Sequence, residues 1–234
     1  VLLMRRAVAE LIGTALLLIA VVGSGIAAQR LSPGDTGLQL LENALATGAA
    51  LVAIILALGA VSGAHLNPVV SLADAVFGGL RWREVPAYIG AQVAGGVAGV
   101  VLANLMFSLP AVTVSGRVRS GGGLWLAEAV ATFGLLLVVF GIARSGRAAM
   151  APFAVGAYIT GAYFFTASTS FANPAVTLAR TLSDSFAGIA PGGVAAFVAC
   201  QLAGAVIAVA ALRLLYPRYS DAARVVVVPH EEAS

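Results

Sequence analysis

The chain has 234 residues, of which 60% are hydrophobic and 10% charged, against about 25% charged in an ordinary soluble domain. That composition excludes a soluble enzyme with a few apolar patches and marks an integral membrane protein; at about 20 apolar residues per crossing helix, the length holds six spans with short loops and no second soluble domain. The formal net charge of +3 comes from 13 basic residues, all Arg, set singly or in pairs at the ends of apolar runs, which is a topology signal and not a patch for nucleic acid.

In chain order, Arg5 and Arg6 precede a first apolar run over 7–28. It is as long as a full span and lacks a clear cleavage site, so it reads as a retained helix and not a signal peptide. A polar loop with Arg30, Pro33, Asp35 and Glu42 leads to a second span over 44–61. Ser62-Gly63-Ala64-His65-Leu66-Asn67-Pro68 then breaks the pattern, and the apolar stretch 69–80 behind it is too short to cross. Arg81, Arg83 and Glu84 mark a return to water. A third span over 85–109 and a Gly- and Ser-rich loop with Arg117 and Arg119 follow. The fourth span covers 124–143, closed by Arg144 and Arg147, and the fifth covers 150–166. A second short segment runs from Ala172-Asn173-Pro174 to Phe186, and the sixth span covers 192–215. The polar tail 216–234 includes His230, to which no role is assigned. The lone Cys200 sits in an apolar run and excludes an internal disulfide and a cysteine metal cluster. No metal or cofactor is expected.

Six spans and two half-length segments form an internal repeat, over about 7–109 and 124–215, within one transmembrane domain at 1–215. Ala9-Glu10 and Thr14 parallel Ala127-Glu128 and Thr132. Gln92 parallels Gln201, and Asn67-Pro68-Val69-Val70-Ser71 parallels Asn173-Pro174-Ala175-Val176-Thr177. Three spans per half is an odd number, so the halves cross in opposite senses. With both termini in the cytoplasm, Arg5, Arg6, Arg81, Arg83, Arg144, Arg147, Arg213, Arg218 and Arg224 lie inside. Only Arg30, Arg117, Arg119 and Arg180 lie outside, which sets this orientation.

Asn is a good helix cap and Pro suits the first helical position. Asn-Pro therefore opens a short helix in each half, and the two N-termini meet near the midplane. Each carries roughly +0.5 of an elementary charge. The meeting point repels cations, protons included, while the amides of Asn67 and Asn173 can donate to a passing oxygen. Irregular backbone at this depth survives only where it is buried or lines a watery path.

Ala9-Glu10…Gly13-Thr14, Ser62-Gly63-Ala64-His65-Leu66-Asn67-Pro68-Val69, Ala91-Gln92…Gly95-Gly96 and Asn173-Pro174-Ala175 resemble the aquaporin (major intrinsic protein) family over essentially all of 7–215. The resemblance implies a right-handed all-α bundle of six helices plus two half-helices, one pore per chain and a homotetramer. It places the chain in the lipid bilayer of a bacterial inner (plasma) membrane. Val69 departs from the family's usual Ala and changes packing only slightly.

In the family a second constriction lies outward of the Asn pair, and water-selective members build it from an aromatic ring, a His, a small residue and an Arg. The positions that match here are Thr47, Gly161, Ser170 and Val176. No large ring and no Arg then narrows the pore, so the expected filter is wide, uncharged and partly polar. With that filter the resemblance implies a passive channel for glycerol- or urea-sized solutes, or uncharged metalloid acids such as arsenous acid, together with water. A water-selective channel is the alternative. Arg180, four residues beyond Val176, shares its helix face. It either presents charge to the outer vestibule, or it snorkels to the interface or caps loop carbonyls.

Glu10 and Glu128, costly inside spans unless partnered, are expected to hold the two re-entrant loops; a proton relay is the other reading. His65 either positions its loop or gates with pH. The Gly and Ala of Gly95-Gly96-Val97-Ala98-Gly99 read as close helix contacts. Asp74 and Asp184 read as solvent-facing or paired. An ion-coupled transporter also uses inverted repeats with broken helices, but two neutral amides between positive helix ends repel its coupling ion. A membrane enzyme finds no nucleophile–base pair here.

Overall fold

The computed structural model describes residues 2–216, so His230 and all of the tail beyond Tyr216 lie outside the described residues. Its helices are α1 (Leu2–Leu31), α2 (Thr36–Ser62), α3 (Pro68–Val76), α4 (Val85–Met106), α5 (Gly122–Arg144), α6 (Ala151–Phe165), α7 (Pro174–Ala179) and α8 (Val194–Leu215). Six of the eight are long and apolar enough to cross a bilayer, α6 together with the short turn before it. The other two, α3 and α7, are the half-helices behind the two Asn-Pro pairs. Both ends of the described chain therefore lie on one face of the bundle, the terminal face. The connection 107–121 lies on the opposite, loop face.

Each half repeats one arrangement: α1 packs on α4 and α2, while α5 packs on α8 and α6. The close pairs are made possible by glycines at matched positions. A methyl group on Gly95 of α4 would sit 2.2 Å from the Leu11 carbonyl oxygen of α1, and one on Gly204 of α8 would sit 2.2 Å from that of Ala129 in α5. These obstacles are backbone atoms that no rotamer change can move. We expect Gly95→Ala and Gly204→Ala each to cost about 1–3 kcal/mol by overpacking. The check is a lowered thermal melting point in detergent, against an unchanged value for Gly90→Ala, where nothing crowds the added carbon.

Two boundaries differ most from the apolar runs. Helix α2 begins well before its apolar segment because its polar residues find partners. Asp35 caps it by accepting from the Leu38 amide (2.9 Å), Ser32 donates to Glu42 (2.7 Å), and the buried Asn43 donates to the Val21 carbonyl (2.9 Å). Helix α7 ends at Ala179, seven positions before Phe186, and Arg180–Leu182 form a 3₁₀ turn. Carbonyls that would carry the helix onward are taken from outside. Thr113 N–H donates to Leu182 (3.0 Å) and Ser115 N–H to Thr181 (2.9 Å). The 107–121 connection thus lies over the end of the half-helix.

Candidate functional site

The two re-entrant loops are built alike. Asn67 and Asn173 have extended backbones, and Pro68 and Pro174 open the helices. The Asn67 side-chain oxygen accepts from the Val69 amide (3.1 Å); that of Asn173 accepts from Ala175 (3.0 Å) and Val176 (3.2 Å). The residues one and three before each Asn are left-handed: Leu66 (φ 53°) and Ala64 (46°), Ala172 (47°) and Ser170 (51°). None is glycine, so each costs roughly 1–2 kcal/mol, and the surroundings must impose the shape.

They do so from three directions. Glu10 accepts from the His65 amide (2.9 Å), the Leu66 amide (2.7 Å), Ser62 (2.7 Å) and Gln92 (2.8 Å). Glu128 accepts from the Phe171 and Ala172 amides (both 2.9 Å) and from Gln201 (2.6 Å). Gln92 also donates to Ser71 (3.0 Å) and Gln201 to Thr177 (2.9 Å), which ties each half-helix to the same carboxylate. Finally the loops brace each other: Asn67 Nδ2 donates to the Ala172 carbonyl (2.8 Å) and Asn173 Nδ2 to the Leu66 carbonyl (2.7 Å). An amide nitrogen carries two N–H donors, so one on each Asn is left over.

A cavity of about 450 Å³ runs past both Asn side chains. Toward the terminal face its wall includes Gly59, Gly63, His65, Ala148 and Pro152; toward the loop face it includes Thr47, Tyr163, Ser170, Phe171, Val176 and Arg180. Thr47, Ser170 and Val176 therefore stand on one passage. Gly161 does not. It is exposed on the outer surface of α6, and the α6 residues that line the cavity are Ala151, Pro152, Val155, Ile159 and Tyr163, the last three one helical turn apart. Gly161 lies about 200° around the helix from Tyr163, two residues at roughly 100° each. The expectation of a filter without a large ring is corrected with it: Tyr163, 2% exposed, shares a hydrogen bond with Thr47 (3.1 Å).

Arg180 brings arginine charge to the cavity wall beside these positions. Arg180 is 1% exposed and lines the cavity. Its Nε donates to the Ala187 carbonyl, and its guanidinium carbon stands 3.4 Å from the centre of the Phe171 ring. It neither snorkels to an interface nor continues α7. Arg119 reaches in from the 107–121 connection, donating to the carbonyls of Gly188 (2.8 Å), Phe186 (3.1 Å) and Ser168 (3.3 Å). Desolvation, with the Arg180 and Arg117 charges acting the same way, lowers its pKa to about 9, so it stays charged at neutral pH. At the other end, His65 sits between Ser71 (Nδ1, 3.0 Å) and Asp74 (Nε2, 3.5 Å), with the Tyr88 ring alongside. Asp74 is buried and paired with His65, and Asp184 accepts from the Gly116 amide (3.0 Å).

Such a passage offers a few polar groups on an apolar wall. It can select by size, by hydrogen bonding and by charge. The family model described as major intrinsic protein matches residues 1–170. The chain is 53% identical to the aquaglyceroporin AqpS of Rhizobium meliloti (strain 1021), over 91% of each chain. It is 32% identical to the aquaporin NIP1-3 of Oryza sativa subsp. japonica, over 93% of this chain and 75% of the relative. The solved structure of the aquaglyceroporin from Plasmodium falciparum superposes with a TM-score of 0.72 at 20% identity, covering 93% of this chain and 98% of the other. That likeness is one of fold.

Proposed function

Because the chain belongs to the major intrinsic protein family, whose members are membrane channels and not enzymes, we propose that its pore passes glycerol- or urea-sized neutral solutes, and uncharged metalloid acids such as arsenous acid, along with water. The observation that carries this reading is Val176. Its side chain lines the cavity three residues after Asn173, where it adds neither charge nor donor. Ser170, also on the wall, has a hydroxyl without a hydrogen-bond partner, and Thr47 and Tyr163 add hydroxyls. Such a lining suits polyols and hydroxylated acids, which carry several oxygens on a compact frame.

We place the whole channel in one domain over 1–215, in a bacterial inner membrane, with the terminal face toward the cytoplasm and four copies per assembly. The distribution of Arg supports the orientation, and family membership supports the tetramer. The test of the function is stopped-flow light scattering on proteoliposomes challenged in turn with an impermeant osmolyte, glycerol, urea and arsenous acid. Entry of glycerol and urea well above protein-free vesicles is the expected result. A specific observation favours the water-selective reading: the Tyr163 ring and the Arg180 guanidinium both border the cavity. If those two groups set the bore, water alone moves. Flux that saturates and collapses with the proton gradient would identify a coupled transporter instead.

A further inference from the structure

The loop-face half of the pore concentrates cationic groups that carboxylates do not neutralise. Ion pairs among the described residues include Arg6–Glu84, Arg81–Glu84 and His65–Asp74. Arg117, Arg119 and Arg180 are in none of them. The carboxylate in electrostatic reach of Arg180 is Glu128, whose oxygens are already committed to Phe171, Ala172 and Gln201. The buried arginines also differ in how they are used. Arg119 spends all three of its nitrogens on carbonyls, whereas Arg180 spends only Nε, on Ala187. Among the described residues its two terminal nitrogens have no acceptor. They belong to a side chain that is 99% buried yet forms part of the cavity wall.

A guanidinium so placed is suited to recognising an oxyanion. Its two terminal nitrogens present parallel N–H donors in one plane, a fork that fits two oxygens of a planar oxyanion. The Nε contact to Ala187 and the Phe171 ring, whose centre is 3.4 Å from the guanidinium carbon, hold the group, so little rotamer freedom remains to be lost on binding. Arg119, 5.0 Å from the same ring, adds a second positive charge.

We propose that the loop-face half of the pore contains a binding site for a small planar oxyanion, a carboxylate or nitrate in shape, held end-on by the terminal nitrogens of Arg180. An occupant there stands in the bore and slows whatever else passes. The site deepens the reading of the channel given above and rests on it for the identity of the competing neutral solute.

The test compares sodium nitrate with sodium chloride at equal ionic strength, in stopped-flow assays of water and glycerol flux through the reconstituted chain. Nitrate is expected to slow both fluxes where chloride does not, and in Arg180→Gln the nitrate needed for the same effect rises about tenfold or more, in proportion to the loss of a two-pronged charged contact. Equal effects of nitrate and chloride on the parent chain, or unchanged nitrate sensitivity in Arg180→Gln, overturns the proposal. Arg180→Lys serves where the Gln variant melts early. It keeps the charge without the fork, so nitrate and chloride should become equivalent, and a retained nitrate preference refutes the role of the fork. If glycerol fails to enter while nitrate still slows water, the wide-pore reading falls and the anion site stands.

Discussion

Val176→Arg is expected to cut glycerol and urea flux by at least about tenfold, equivalent to roughly 1.4 kcal/mol on the barrier, while water flux falls much less. Val176 is 5% exposed and lines the cavity on the same stretch as Thr47, Tyr163 and Ser170. An arginine there places a long planar cation across the space a polyol needs, with the Thr47 and Tyr163 hydroxyls as acceptors to hold it. It also adds a further guanidinium four residues before Arg180, which raises the charge without adding an anion. Water needs a narrower passage and loses least. Two further substitutions separate size from charge. Val176→Leu should leave both fluxes close to the parent, and Val176→Gln should fall between Leu and Arg. Stopped-flow rates normalised to reconstituted protein provide the comparison, with thermal melting to exclude misfolding. Undiminished glycerol entry in Val176→Arg would move the narrowest point away from this residue.

The sequence makes the repeat easy to read and the bore hard to read. Asn-Pro, Glu and Gln recur at matched positions, and each of those types is costly in a membrane unless partnered, so their recurrence points to a shared arrangement. Tyr163 had no such marker. Helix α6 is apolar on every side: Phe153, Phe164 and Phe165 are exposed on its outer surface, whereas Val155, Ile159 and Tyr163 face inward. A helix hydrophobic all round carries no amphipathic phase, and the irregular loop between α6 and Asn173 breaks the register, so a count from Asn173 points to Gly161 and not to Tyr163. The i, i+4 series from Val155 through Ile159 to Tyr163 is the signal that finds the ring, once one member is known to face the pore. Arg180 was hidden for a different reason. Its burial depends on the 107–121 connection folding over the end of α7 and on Ala187 accepting its Nε. Those contacts come partly from some 70 positions upstream, as Thr113 and Ser115 meet Leu182 and Thr181.

Loss of Glu10 should have the largest effect on stability. Its two oxygens accept from the His65 and Leu66 amides, Ser62 and Gln92, and it is fully buried. Glu10→Ala leaves four donors without that acceptor in a place water does not reach. Each buried orphan costs about 1–3 kcal/mol, so even with partial rearrangement the loss is at least about 3 kcal/mol. It falls on a loop that already holds Ala64 and Leu66 at positive φ, and relaxation of that strain removes the Leu66 carbonyl from Asn173. Damage should therefore cross into the second half: Glu10→Ala lowers the melting point and also disorders the pore around Asn173. Glu10→Gln keeps one acceptor oxygen but turns an N–H toward groups that themselves donate, so it should melt between Ala and the parent. A proton-relay role predicts a different pattern, in which Gln folds as well as the parent and proton permeability changes. Melting curves and a proton-leak assay on the same three proteins distinguish the two.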